Sequence, residues 1–139
     1  MMSKATANLT QAMKRAEELR PRVGGFPYLA EVLRQAGVTR NTSCLPSGQS
    51  LFLTVEGPVV IQGAPLLIGT LDVPSFDAEA LIRALRVGQA GESSFSEFLA
   101  ATWRAGVVRY DVDFDERTVA YHGCNGEQYV EAYPAVQVG

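Results

Sequence analysis

The sequence predicts a single α+β domain, an antiparallel sheet covered by three or four helices, with two related helix-then-strand halves as a candidate duplication. Three observations carry this. Ser94-x-x-Glu97 is a capping box, in which the serine oxygen accepts from the Glu97 amide while the carboxylate reaches back to the serine amide. After Gly106 the apolar period changes from 3.6 to 2, since Val108, Tyr110, Val112 and Phe114 alternate with Val107, Arg109, Asp111 and Asp113. Asn125-Gly126 then gives a strong hairpin signal, because a type I′ turn needs positive φ at both central positions.

Residues 1–22 read as an amphipathic helix. Asn8-x-x-Gln11 offers a capping box, Leu9, Met13, Ala16 and Leu19 follow at helical spacing, and Pro21 ends the run. Residues 26–71 read as a helix followed by strands. Pro27 suits a first helical turn, where its missing amide has no intrahelical partner, and Leu29, Val32 and Leu33 form the apolar stripe up to Gly37. Strands are expected over 38–45, 50–55 and 59–62, and again over 66–71. Pro58 and Pro65 belong at strand starts or edges because each lacks a ladder donor.

Residues 76–90 read as a helix capped by Asp77, with Phe76 and Leu81 as a hydrophobic staple and Leu81, Ile82 and Leu85 on its apolar face. Residues 94–133 read as a helix and a three-stranded meander. In that helix Phe95, Phe98, Leu99, Thr102 and Trp103 share a stripe that Gly106 terminates. A two-residue loop at Glu116-Arg117 would pair Phe114 with Val119, Val112 with Tyr121 and Asp111 with His122. The following hairpin would place Tyr121 beside Val130 and His122 beside Tyr129. Aligning Phe26 with Phe95 brings Leu29 onto Phe98, Ala36-Gly37-Val38 onto Ala105-Gly106-Val107 and Arg40 onto Arg109 without a gap, which is the candidate duplication. Beyond Arg40 the match fades, where Asn41 and Ser43 stand opposite Tyr110 and Val112.

Composition fits one globular domain: 139 residues, 47% hydrophobic and 19% charged, suffice for a core without disulfides or metal. No apolar run approaches the roughly 18 residues of a membrane span, and the first twenty residues hold no signal-peptide core, so the expected location is the cytoplasm with no membrane partner. Cys44 and Cys124 lack any Cys-x-x-Cys or zinc spacing and are expected as free, buried or semi-buried thiols. Residues 1–40 carry seven Lys or Arg against three acids, and the remainder five against twelve. A basic head on an acidic body suits a protein partner or self-association, the simpler alternative being a solvated helix face. With a net charge of −3 and no basic residues interleaved with aromatics, nucleic acid is not an expected partner.

The chemistry-bearing residues gather on the polar face of the meander: Arg109, Asp111, Asp113, His122, Tyr129 and Glu131. A carboxylate opposite an imidazole can form an oriented acid–base pair. The same residues also read as a wet sheet face with a cross-strand ion pair worth a few tenths of a kcal/mol to about 1. A metal set of Asp111, Asp113, His122 and Cys124 is short of ligands, so no metal or cofactor is called for. Ser47, Ser50 and Cys124 lie in or near turns without a nucleophile elbow. Glycine-rich nucleotide spacings are absent.

Phe26-Pro27-Tyr28-Leu29 through Ala36-Gly37-Val38-Thr39-Arg40, then Ala105-Gly106-Val107-Val108-Arg109-Tyr110 with Asp113-Phe114 and Tyr121, resemble the YbcV-like proteins. These are an uncharacterised bacterial and prophage-borne family of about this length, some members of which carry the label phage envelope protein. The resemblance implies no catalytic residues. The functional expectation is a non-enzymatic binding or interaction module, with a homodimer as its candidate form; the alternative is a small enzyme or metabolite binder using Arg109, Asp111 and His122, with the arginine holding a carboxylate or phosphate.

Overall fold

The computed structural model describes residues 2–138. Four helices and six strands follow one another as α1 (Lys4–Leu19), α2 (Phe26–Gln35), β1 (Val38–Cys44), β2 (Gln49–Thr54), β3 (Gly57–Gln62), α3 (Ala78–Gln89), α4 (Phe95–Arg104), β4 (Arg109–Asp113), β5 (Thr118–His122) and β6 (Gln128–Ala132). The strands form one antiparallel sheet in the order β3-β2-β1-β4-β5-β6. The helices lie on one side of it. Leu9 of α1, Leu33 of α2 and Leu81 and Leu85 of α3 meet the inward side chains Phe52, Val59, Val112, Phe114, Val119 and Tyr121 in a single core, as the α+β reading requires.

The caps at Asp77 and Ser94 form as expected, the latter as a full capping box. Helix α1 begins earlier than the Asn8 signal suggested. Its cap is Ser3, which accepts from the Thr6 amide, and the extra turn buries Ala5. Asn8 instead lies inside the helix and donates its side-chain amide to the Ala36 carbonyl at the end of α2, tying the two helices together. Phe95 also departs from expectation: it stands exposed at the start of α4, while Phe98 and Trp103 pack against the core.

No strand forms over 66–71. Pro65 breaks the ladder, and the Leu66 amide bonds to the Pro46 carbonyl, so the segment crosses the end of the sheet and leaves β3 as an edge. In the meander, β4 and β5 are joined by a longer turn than Glu116-Arg117 alone. The observed pairs are Val112 with Val119, Tyr110 with Tyr121 and Arg109 with His122, a slip of two residues that keeps each side chain on its expected face. Between β5 and β6 the slip is one residue, pairing Tyr121 with Tyr129 and His122 with Gln128. A one-residue slip exchanges faces. It arises because only Gly126 of the Asn125-Gly126 turn takes positive φ, 86°, so the connection is a longer loop closed by the Gly123 amide on the Glu127 carbonyl.

The helix-then-strand correspondence between the halves extends through the sheet. The alignment of Phe26 with Phe95 carries α2 onto α4, β1 onto β4 and β2 onto β5. It superposes Gly37 (φ 96°) on Gly106 (φ 87°), and Gly48 (φ 73°) on Arg117 (φ 56°), the one residue other than glycine with positive φ among those described. Cross-strand partners obey it too: Arg40–Leu53 maps onto Arg109–His122, and the seam pair Arg40–Asp113 maps onto Arg109–Cys44. The seam between β1 and β4 is therefore a local two-fold. Only the outermost strands depart, because the loop inside the Gly123–Glu127 closure holds three residues where the β2–β3 turn inside the Thr54–Gly57 pair holds two.

Candidate functional site

The seam strands present the chemistry. On the helix-free face, outward residues alternate with buried ones, so β1 shows Arg40, Thr42 and Cys44, and β4 shows Arg109, Asp111 and Asp113. His122 of β5 sits beside Arg109 rather than Asp111. Its Nε2 reaches diagonally to within 2.9 Å of Asp111 Oδ2, and Arg109 Nε approaches the same oxygen at 3.5 Å. Arg109, Asp111 and His122 are thus neighbours, through a register other than the expected one.

The imidazole of His122 is largely enclosed. Its side chain is 17% exposed, and Nε2 is shielded from solvent yet makes no directed hydrogen bond, so the carboxylate lies off the N–H line. Asp113 has other work: Oδ1 accepts from the Asp115 and Glu116 amides, shaping the β4–β5 turn, while Oδ2 pairs with Arg40 at 3.1 Å. Tyr129 and Glu131, through the one-residue slip, belong to the opposite face. Tyr129 packs against the core and Glu131 accepts from Arg86 of α3.

Beneath the seam lies a buried polar group that sequence reading did not single out. Asn41 donates to the Leu51 carbonyl, Ser43 donates to Asn41, and the Ser43 and Ser50 hydroxyls are 2.8 Å apart. Burial raises the Tyr110 phenol above its ordinary range, an effect partly offset by its hydrogen bond with Ser43. Tyr121 is raised as well, by burial first and then by neighbouring Tyr110. The signal was present in the sequence as the break in the duplication at Asn41 and Ser43. Polar residues there complement Val112 and Tyr110, their cross-strand partners, instead of repeating them.

The remaining candidates stay apart. Ser47 accepts from the Gln49 amide, Ser50 is tied to Ser43, and Cys44 and Cys124 are free and exposed rather than buried, Cys44 because its position points outward and Cys124 because it lies in the β5–β6 turn. Among the described residues no three His, Cys, Asp or Glu side chains converge to hold a metal ion. Two concavities lie among the helices. One, of about 300 Å³, separates α3 from α4 at Ala84 and Ala101; the other, of about 310 Å³, separates α1 from α2 at Ala12 and Val32.

Uncharacterized protein Rv2012 of Mycobacterium tuberculosis (strain H37Rv) is 53% identical over 136 residues, covering 98% of this chain and 83% of that protein. Uncharacterized protein Mb2035 of Mycobacterium bovis matches to the same extent. The family described as "Protein of unknown function (DUF1398)" matches residues 14–131, and with most of its core and both seam strands inside that span, the chain belongs to this family.

Proposed function

We propose that the protein is a non-enzymatic binding module whose working surface is the open face of its sheet. One observation carries the reading: the helices cover a single face, and the other keeps Leu51, Leu53 and Val60 at 37%, 41% and 54% exposure beside the charged seam. Apolar side chains grouped next to paired charges on a flat face suit a protein surface better than a small ligand, which favours concavity. Arg40 and Arg109 are balanced there by Asp111 and Asp113, which fits neither a polyanion nor a lipid headgroup.

The YbcV-like, prophage-borne placement belongs to the same reading and rests on the residues quoted from Phe26 to Arg40 and Ala105 to Tyr121. A cytoplasmic setting fits the two exposed free thiols, which persist in reducing compartments. No helix is long and apolar enough to cross a membrane among the residues described.

The test is capture from host-cell lysate on three immobilised baits: wild type, the double variant Leu51→Glu/Leu53→Glu, and Phe95→Glu on the helix side. Proteins held by wild type and Phe95→Glu, and released by the double variant, support the open face. Equal capture by all three contradicts it. A thermal shift with inorganic phosphate or citrate that Arg109→Ala abolishes would favour the small-ligand alternative instead.

A further inference from the structure

Resting on that reading of the open face, we infer that its occupant is a second copy of this chain, stacked sheet on sheet with the two halves exchanged. A closed dimer built face to face needs a two-fold axis lying in the interface, and each residue then meets its own image partner. Two axes suit a rectangular sheet.

An axis across the strands sets each strand on itself in the reverse direction. Asp111 then faces Asp111 in a low-dielectric interface, and Leu53 is set over Gln49. An axis along the strands, at the β1–β4 seam, sets β1 over β4 and β2 over β5. Arg40 of each copy then faces Asp113 of the other, and Thr42 faces Asp111. The bulky Leu51 and Leu53 lie over the small Ala120 and Thr118.

The second arrangement juxtaposes no like charges and matches large side chains with small ones. The Arg40–Asp113 ion pair within one copy remains solvent-accessible, with the arginine side chain 60% exposed, so its dipole is free to meet the inverted dipole of the partner. The fold's own local two-fold sets β2 and β5 at equal distances from the seam, so one face supplies both sides of such a match: Leu51 and Leu53 on β2, Ala120 and Thr118 on β5.

Size sets the strength. Six strands at about 4.8 Å and five residues at about 3.4 Å give a face of roughly 490 Å² in projection. Standard interfaces bury about 800 Å² of accessible surface per partner, so the sheet alone makes a dimer at the weak end of the range, one that separates on dilution.

Sedimentation equilibrium from roughly 5 µM to roughly 500 µM brackets such an interface. Wild type is expected to pass from monomer to dimer. Arg40→Asp and Asp113→Arg, each alone, are expected to weaken the dimer about tenfold or more, because each sets like charges face to face. An equimolar mixture of these two variants restores two opposite-charge contacts and is expected to recover the dimer as a heterodimer. Ala120→Trp, an outward substitution that leaves the core untouched, is expected to block it by filling the space under the partner's leucines.

A monomer throughout the range, or a dimer indifferent to all three substitutions, overturns the inference. So does a dimer that the single charge variants disrupt but their mixture does not restore. If the wild type stays monomeric while lysate capture still depends on Leu51 and Leu53, the binding-module reading stands and this inference alone falls. If capture fails as well, both fall.

Discussion

Thr42 and Asp111 face each other across the β1–β4 seam and are also counterparts in the two halves of the chain. The local two-fold therefore passes between them. Equivalent positions in the two halves should respond alike to substitution wherever their surroundings are alike, and differently where they are not.

Gly37 and Gly106 make that comparison. Both end a helix with positive φ, where a side chain costs about 1–2 kcal/mol. A Cβ on Gly37 would fall 2.5 Å from Cγ2 of Val55, an exposed side chain with solvent to move into, whereas one on Gly106 would fall within 2.6 Å of the Phe76 backbone, which has none. Gly37→Ala should destabilise by about 1–2 kcal/mol. Gly106→Ala should cost about 1–3 kcal/mol more, through the added overpacking. Urea denaturation of the two variants measures the difference, and equal midpoints would contradict it.

The core is centred on the meander, so Phe114, fully buried, should matter more than Trp103, which packs at its margin. Phe114→Ala is expected to cost about 3–5 kcal/mol, and Trp103→Ala about 1–3 kcal/mol. The ranking is read from the same denaturant curves, and a reversed order would misplace the core.

Glu31 is a buried carboxylate of α2 held by Arg34, at 2.9 and 2.6 Å, and by Gln35. The hydrogen bonds from Arg34 hold its carboxyl below the usual range. Because the folded pKa is depressed, this contribution is present above the unfolded value near 4.5 and is lost as pH falls through the folded one. Glu31→Gln should cost about 1–2 kcal/mol at pH 7, after allowance for the partly exposed arginine. The gap between variant and wild type should narrow as pH falls below 4.5 and through the lowered folded value; a pH-independent gap would contradict the ionic origin.

At the alkaline end the sign reverses. Tyr110 and Tyr121 are raised by burial, and burial pushes Tyr133 up to about 12. Stability from these groups is complete below about pH 10 and is lost as pH rises through the folded values. Phenolate absorbance and far-UV circular dichroism should therefore change together above that pH. Phenols that ionise with secondary structure intact would show that they are solvated.

Much of the local chemistry was legible in the sequence, the Asn8 cap and the Asn125-Gly126 turn excepted. The caps at Asp77 and Ser94, the glycine stops and the change of period after Gly106 each depend on a few consecutive residues, and each is where it was expected. Register is not of that kind. Whether Tyr129 shares a face with His122 turns on one residue in the β5–β6 loop, and the pairing of β1 with β4 joins residues far apart in sequence. Arg109, Asp111 and His122 kept their common face because a two-residue slip preserves the pleat. Arg40, Leu51 and Leu53 entered the surface only through strand order.

The strand order has a kinetic consequence. Every neighbouring pair in the sheet is consecutive in the chain except β1 and β4. Each half can thus form from short-range contacts, and closing the seam is the one step that must wait for distant parts to meet. The connection from residue 63 to residue 77 holds the halves at a mutual concentration on the millimolar scale, as short tethers do. Cutting it at Gly69 would turn that closure into an encounter between two fragments, and refolding, until then indifferent to protein concentration, would slow on dilution.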